Sequence, residues 1–335
     1  LLSIDVSIGI ALYPDHGKDS DTLLQHADVA LYAAKKTSNP CYAVYNADHD
    51  EHSMERLMLT VELREAIKNE DIELHYQPKY SLLEGKVCGM EALVRWRRWQ
   101  EKELMLPASF LPSAEKTGLI RPLTYLIFNK VFEQMSLWNK QGRMIPVSIN
   151  LSTKVLHDLE LPDQVHTLLK KWKIDPTFIL LEITESSMMV DPDLAFKIIQ
   201  DLVSLGLKLS IDDFGTGYSS LALLKRLPGC ELKIDQSFIA DMDKNLSDMA
   251  IVQTSINLAR NMELKVVAEG VETKEALDSL IEMECEMAQG YYLCRPVTAD
   301  EVFEKIDELN LVGYHLTQKH ADEMKAKQGK MLKVQ

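Results

Sequence analysis

Two adjacent carboxylates, Asp212 and Asp213, close an apolar, β-prone run from Leu207 to Ile211 and lead into Phe214-Gly215-Thr216 and a turn continuing through Gly217. Neighbouring acids repel each other, and one would hold its proton unless a cation sat between them, so the spacing asks for a divalent metal. Asp-Asp before a Gly turn is also how an ordinary solvated strand ends. The company it keeps raises its meaning. Glu91 lies in the run Cys88 to Trp96, Asn150 ends Pro146-Val147-Ser148-Ile149, Glu182 lies in Phe178 to Thr184, and Glu269 follows Val266-Val267-Ala268. Lys233 and Asp235 flank Ile234, so a period of two puts both on one face.

Segments of helical length separate these runs. Strands are expected at Ile72 to Gln77, Val87 to Val94, Val147 to Leu151, Ile179 to Thr184, Leu207 to Asp212, Glu231 to Ile234, Lys265 to Ala268 and Met287 to Leu293. The clearest helices between them are Leu123 to Gln141, Pro192 to Leu205, Asp248 to Met262 and Lys274 to Met283. Strands alternating with helices, with polar residues at the strand ends, read as an α/β barrel whose chemistry sits at the C-terminal face. Only Leu83-Glu84-Gly85-Lys86 separates the first two strands, too short for a parallel crossover, so the expected fold is a TIM-like (β/α)8 barrel variant with one antiparallel strand. Met54 to Lys68, with Leu57, Val61, Leu63 and Ile67 among charges, reads as an amphipathic helix packed on that barrel.

Composition bounds the function. The net charge of -14 over 335 residues argues against general nucleic-acid binding, which needs basic stripes. It would also repel any phosphate ester unless bound metal inverted the charge of the acid cluster. Five scattered cysteines (Cys41, Cys88, Cys230, Cys285, Cys294) form no C-x-x-C pair and read as reduced thiols. No histidine falls in an H-E-x-x-H or H-x-H pattern, so the metal should be a hard, oxygen-ligated Mg²⁺ or Mn²⁺. No apolar run reaches the length of a membrane span and no signal peptide is visible, so this fragment is expected to be cytoplasmic and to make no membrane contact; segments outside it could anchor the whole protein.

Glu91-Ala92-Leu93-Val94-Arg95-Trp96 resembles the signature of the EAL-domain cyclic di-GMP phosphodiesterases. Further motifs of that family follow in order: Tyr76-Gln77-Pro78, Asn150-Leu151-Ser152, Leu181-Glu182-Ile183-Thr184-Glu185, Asp212-Asp213-Phe214-Gly215-Thr216-Gly217, Leu232-Lys233-Ile234-Asp235, Ala268-Glu269-Gly270-Val271-Glu272-Thr273 and Gln289-Gly290-Tyr291. Val6-Ser7-Ile8-Gly9-Ile10-Ala11 with Leu23 to Lys36 is similar to the end of a GGDEF domain whose signature motif is absent; no Gly-Gly pair occurs in the chain. The implied layout is a GGDEF remnant over residues 1–47, a linker helix over 48–68, the EAL barrel over 69–312 and a C-terminal tail over 313–335.

The resemblance implies hydrolysis of cyclic di-GMP to linear pGpG at a two-ion Mg²⁺ or Mn²⁺ site, in a homodimer. Glu91, Asn150, Glu182 and Asp212 would hold one metal, with Asp212 bridging to a second held by Asp213 and by Glu269, directly or through water. Lys233 would position or deprotonate the attacking water, oriented by Asp235; a plain salt bridge between these two is the competing reading. Gln77, Leu93, Arg95 and Gln289 would meet substrate, although Arg95 could instead be paired to an acid. Glu272 would anchor the Gly215 to Ser220 loop. Gln236 stands where the family often has Arg, and Lys79 where an apolar residue is common; neither departure is expected to touch the metal shell. A silent cyclic di-GMP receptor and a carboxylate-pair glycosidase are the other functions considered, the latter disfavoured by the Asn, Lys and double-Asp set.

Overall fold

The computed structural model describes residues 6–36, 42–98, 104–216, 224, 227 and 230–311. The expected 313–335 tail, most of the Gly215 to Ser220 loop and Cys41 lie outside the described residues. At the N-terminus, β1 (Ile8–Ile10) and β2 (Tyr42–Val44) pair in parallel, and the helix Ser20–Lys36 crosses between them. This is the small α/β unit expected from the first motif.

Ten further strands form one sheet. They are β3 (Ile72–Ser81), β4 (Lys86–Arg97), β5 (Leu104–Met105), β6 (Val147–Asn150), β7 (Ile179–Thr184), β8 (Lys208–Phe214), β9 (Cys230–Ile234), β10 (Lys265–Ala268), β11 (Met287–Ala288) and β12 (Val297–Thr298). From β4 through β6, β7, β8, β9 and β10 to β11 every neighbouring pair is parallel. β3 runs antiparallel to both β4 and β11 and so closes the ring. The short Gly85 connection makes β3 and β4 a hairpin, and that reversal is what sets the closed ring apart from an all-parallel barrel; the two-residue strands β5 and β12 add antiparallel pairings to β4 and β3. Ile149, Leu181, Ile183, Leu209, Ile211, Leu232 and Ile234 alternate with polar positions and face the surrounding helices, where they are buried.

Two expectations need correction. The last strand stops at Ala288 rather than Leu293. Gln289 still donates to the Ala268 carbonyl (2.8 Å) and accepts from the Val271 amide (3.1 Å), but a Cβ on Gly290 would lie 2.2 Å from Val271 backbone atoms. The chain crosses itself there, and only glycine permits the approach, so Tyr291 and Tyr292 turn outward. The helix Ala47–Lys68 seats Leu59, Leu63 and Ala66 on the barrel, positions i, i+4 and i+7, while Val61 is exposed. Of the expected stripe, Leu63 is buried and Ile67 packs against the core, whereas Val61 faces solvent; the Leu57 side chain lies outside the described residues.

Candidate functional site

Period-two alternation brings Glu91 on β4, Asn150 on β6, Glu182 on β7, Asp212 on β8 and Lys233 on β9 toward the barrel axis, and Glu269 follows immediately after β10. Their meeting point is Lys233. Its ammonium lies 2.7 Å from Glu182 Oε2, 2.5 Å from Glu269 Oε1, 3.1 Å from Asp212 Oδ1 and 3.7 Å from Glu91 Oε2, with the side chain 1% exposed. Burial works against a charged lysine, but the carboxylates outweigh it and hold its pKa well above the usual value.

The acids are unequally compensated. Burial, reinforced by the charge of Glu182, pushes Glu91 up to about 7. Burial also pushes Glu269 up to about 8, with Lys233 pulling down and Asp212 and Glu91 pushing further up. Glu182 is the opposite case: although burial penalises its charge, Lys233 and Lys79 hold it well below the usual carboxylate range. Amides hold Glu91 in place. Asn150 Nδ2 donates to Oε1 at 2.7 Å, and Gln289 Nε2 donates to Oε2 at 2.6 Å and also contacts Gln77 Oε1 at 3.1 Å. Gln77 in turn donates to the Cys294 carbonyl, and the buried Oε1 of Gln289 has no partner among the described residues.

Asp213 reaches the same cavity as Asp212 although successive strand residues ordinarily face opposite ways. The β8–β9 register slips between Ile211 and Phe214, and Asp213 adopts φ +55 in the left-handed region. This bulge turns both carboxylates inward. Burial, then repulsion from Asp212 and Asp235, raises the Asp213 pKa.

A cavity of about 260 Å³ opens over this cluster, lined by Gln77, Glu91, Asp212, Asp213, Lys233, Asp235, Glu269, Glu272 and Gln289 together with Gln236 and Tyr291. Asp235 does not pair with Lys233; it accepts from the Ser237 amide at 3.0 Å and caps the helix Gln236–Ile239. The competing salt-bridge reading therefore fails, and Asp235 lines the cavity with no direct bond to Lys233. Leu93 and Arg95 continue along β4 past Glu91, outside the cavity lining; Leu93 is half-buried opposite His75. Arg95 is buried, donates to the Val94 carbonyl and has no carboxylate partner among the described residues. Glu272 is exposed at the cavity edge, just before Thr273, which caps the helix Lys274–Glu282. The loop it was expected to anchor is mostly outside the described residues.

One expectation about this site is wrong. Lys79 was expected to lie clear of the metal shell, yet its Nζ contacts Glu182 Oε1 at 2.8 Å, Glu231 Oε1 at 2.6 Å and Ser148 Oγ at 2.7 Å. Ser210 Oγ also donates to Glu231 Oε1, at 2.9 Å. The signal was in the sequence: Lys79 stands two residues from Gln77, Ser148 from Asn150, Ser210 from Asp212 and Glu231 from Lys233. The same period of two that picked the upper set also turns these lower residues inward.

The donor chemistry fits hard divalent ions. Carboxylate and amide oxygens crowd the mouth, four acids share the Lys233 charge, and an orphaned amide oxygen is buried beside them. Among the described residues, however, no three His, Cys, Asp or Glu side chains already stand in metal-holding geometry. The reason is visible in the contacts: the carboxylates converge on the lysine, and Asn150 turns its nitrogen to Glu91. A half-turn of that amide would present its oxygen instead. The described free thiols, Cys88, Cys285 and Cys294, all lie outside the cavity lining. No helix among the described residues is long and apolar enough to cross a membrane.

The EAL domain profile matches residues 60–296, and the diguanylate cyclase GGDEF domain profile matches residues 2–40. The bifunctional diguanylate cyclase/cyclic di-GMP phosphodiesterase MucR of Pseudomonas aeruginosa is 40% identical over 304 residues, covering 90% of this chain and 44% of the relative. The cyclic di-GMP phosphodiesterase PdeR of Escherichia coli is 35% identical over 293 residues, covering 88% of this chain and 44% of the relative. The chain thus spans less than half the length of these relatives. A solved structure described as the PaMucR phosphodiesterase in complex with c-di-GMP superposes with a TM-score of 0.70 at 41% identity, covering 73% of this chain and 99% of that one. The EAL enzyme Bd1971, solved with cAMP and cyclic di-GMP bound, gives a TM-score of 0.72 at 28% identity over 86% of this chain and 76% of its own. With its motifs in order on a barrel of this topology, and a family profile running over well beyond half its length, the chain belongs to the EAL domain family.

Proposed function

We propose that this chain hydrolyses cyclic di-GMP to linear pGpG at the mouth of the barrel, with two Mg²⁺ or Mn²⁺ ions. The observation that carries this reading is the convergence of Glu91, Glu182, Asp212 and Glu269 on Lys233 beneath a cavity that Asp213 also lines. Relatives named as cyclic di-GMP phosphodiesterases supply the substrate class. Glu91, Asn150, Glu182 and Asp212 would hold one ion, and Asp212, Asp213 and Glu269 the other. Bound divalent ions supply Lewis acidity at the attacking and leaving oxygens.

The chain's own residues do the rest. Lys233, central among the four acids beneath the cavity, is placed to position the attacking water. Arg95, with no acid partner among the described residues, keeps the guanidinium donors not given to the Val94 carbonyl for a phosphate, and Gln77 and Gln289 offer amides at the cavity wall. Leu93 would supply apolar contact to a base. Glu272 would couple the cavity to the neighbouring loop and to a homodimer contact.

The test is incubation of the purified chain with cyclic di-GMP and Mg²⁺ or Mn²⁺, following pGpG by chromatography with a chelator control. Chelator-sensitive pGpG supports the reading. Tight binding without product in either metal would make the chain a cyclic di-GMP receptor instead.

A further inference from the structure

We infer that Lys79 is a positioning residue for Glu182, fixing one oxygen of that carboxylate from below so that the other is presented upward to the divalent ion; the inference rests on the metal reading given above. Glu182 is fully buried, and its two oxygens face opposite ways: Oε1 meets Lys79 at 2.8 Å and Oε2 meets Lys233 at 2.7 Å. Lys79 is itself held from three sides, by Glu182, Glu231 and Ser148, and Glu231 is held further by Ser210. Strands β3, β6, β7, β8 and β9 each contribute one member, so the layer ties five strands to one carboxylate oxygen.

Stability alone is a poor explanation of this arrangement. Layers inside a barrel of this kind are ordinarily filled by branched apolar side chains. Taking Lys79, Glu231 and Glu182 out of water carries a desolvation cost that well-packed apolar residues of similar volume would avoid. The layer does something those residues would not: it fixes the orientation of Glu182. An unpinned carboxylate can rotate and offer either oxygen, or both, whereas with Oε1 held by Lys79 only Oε2, which meets Lys233 here, is on the side where an ion would share it. Glu231 serves as the counter-ion that lets Lys79 remain charged without drawing wholly on Glu182. Partners behind a metal ligand orient it in this way.

The experiment compares Mn²⁺ binding, by electron paramagnetic resonance of the free ion and without substrate, in the wild-type chain, E231Q and K79M/E231Q, with thermal melts of each. Removing Lys79 together with Glu231 avoids leaving Glu231 buried and unpaired, so the double variant is the one expected to fold. The expected result is Mn²⁺ binding about 10- to 100-fold weaker in K79M/E231Q, with E231Q within about threefold of wild type on the same scale. The Mn²⁺ concentration for half-maximal turnover should rise in parallel, and KM for cyclic di-GMP at saturating Mn²⁺ should stay unchanged. Wild-type Mn²⁺ affinity in a folded K79M/E231Q protein overturns the inference while leaving the metal reading intact. An equal loss in E231Q overturns it too, because the effect would then belong to the layer and not to Lys79. A wild-type chain that binds no Mn²⁺ overturns the metal reading itself, and this inference with it.

Discussion

Asp212 and Asp213 are chain neighbours that line the same cavity, and the left-handed backbone at Asp213 is what allows it. Asn tolerates that conformation and a β-branched residue does not. D213N should therefore fold like the wild type while D213V is less stable by about 1–2 kcal/mol, the scale of one residue forced into the left-handed region. Both should lose turnover, by an amount on the order of 10²-fold or more if Asp213 supplies transition-state charge stabilisation. Chemical denaturation of the two variants side by side reads the backbone effect; equal stabilities would place the strain elsewhere.

Lys233 and Glu269 argue a second case. Replacing the lysine by methionine leaves four acids facing one another with only Lys79, on the far oxygen of Glu182, as a cation, and removing one partner of a buried charge set costs about 3–5 kcal/mol. A divalent ion can take over that neutralising role. K233M should consequently melt well below wild type in chelator and recover most of the difference in Mn²⁺, while turnover stays far lower in both conditions. If Mn²⁺ brings no recovery, the acids are not a cation site. If cyclic di-GMP binding falls as much as turnover does, Lys233 is a binding residue and not a positioner of water.

The pH dependence follows from Glu91 and Glu269, whose folded values of about 7 and about 8 lie above the ordinary 4.5. A raised carboxyl pKa means the folded state binds the proton more tightly than the unfolded chain. The stability these two groups contribute is fully present below pH 4.5 and is lost as pH rises through 7 to 8. Protons and divalent ions compete for the same oxygens, so the stabilisation gained from Mg²⁺ should be small at pH 6 and grow steadily to pH 8.5. Calorimetric titration at pH 7 in buffers of different ionisation enthalpy should detect proton release on binding. A stabilisation by Mg²⁺ that stays flat from pH 6 to 8.5 would show that these two carboxyls do not face the ion.

Much of this was open to reading because the barrel encodes its site at one periodicity. Ile179 to Thr184 and Lys265 to Ala268 could be bounded to the residue, since each is a short apolar run of strand length, broken only by Glu182 in the first and followed by Glu269-Gly270 in the second. The reversed β3 followed from a connection too short to cross over. Three features stayed hidden. The β8 bulge depends on backbone geometry that no side chain in Asp212-Asp213-Phe214 announces. The end of β11 is set by the crossing of Gly290 over Val271, a tertiary contact between residues nineteen positions apart. Period two turns Lys79 inward, but its burial as a charge becomes plausible only when its partners on four other strands are known.

The helix Ala47–Lys68 allows the two ends of the chain to be separated by truncation. Leu59, Leu63 and Ala66 are buried against the barrel, and burial of the two leucines alone is worth about 3–6 kcal/mol. Arg98, at the end of β4, also pairs with Glu62 on the same helix. A chain beginning at residue 47 keeps all of these contacts and loses only the small β1–β2 unit, so it should retain the melting temperature of the barrel and any phosphodiesterase activity. A chain beginning at residue 69 bares the apolar seat of the helix and should lose several kcal/mol or aggregate. Expression of both, followed by melting and pGpG assay, separates the roles. Loss of activity in the longer of the two would mean that residues 1–46 act on the site, and the small N-terminal unit would then be part of the enzyme rather than an appendage to it.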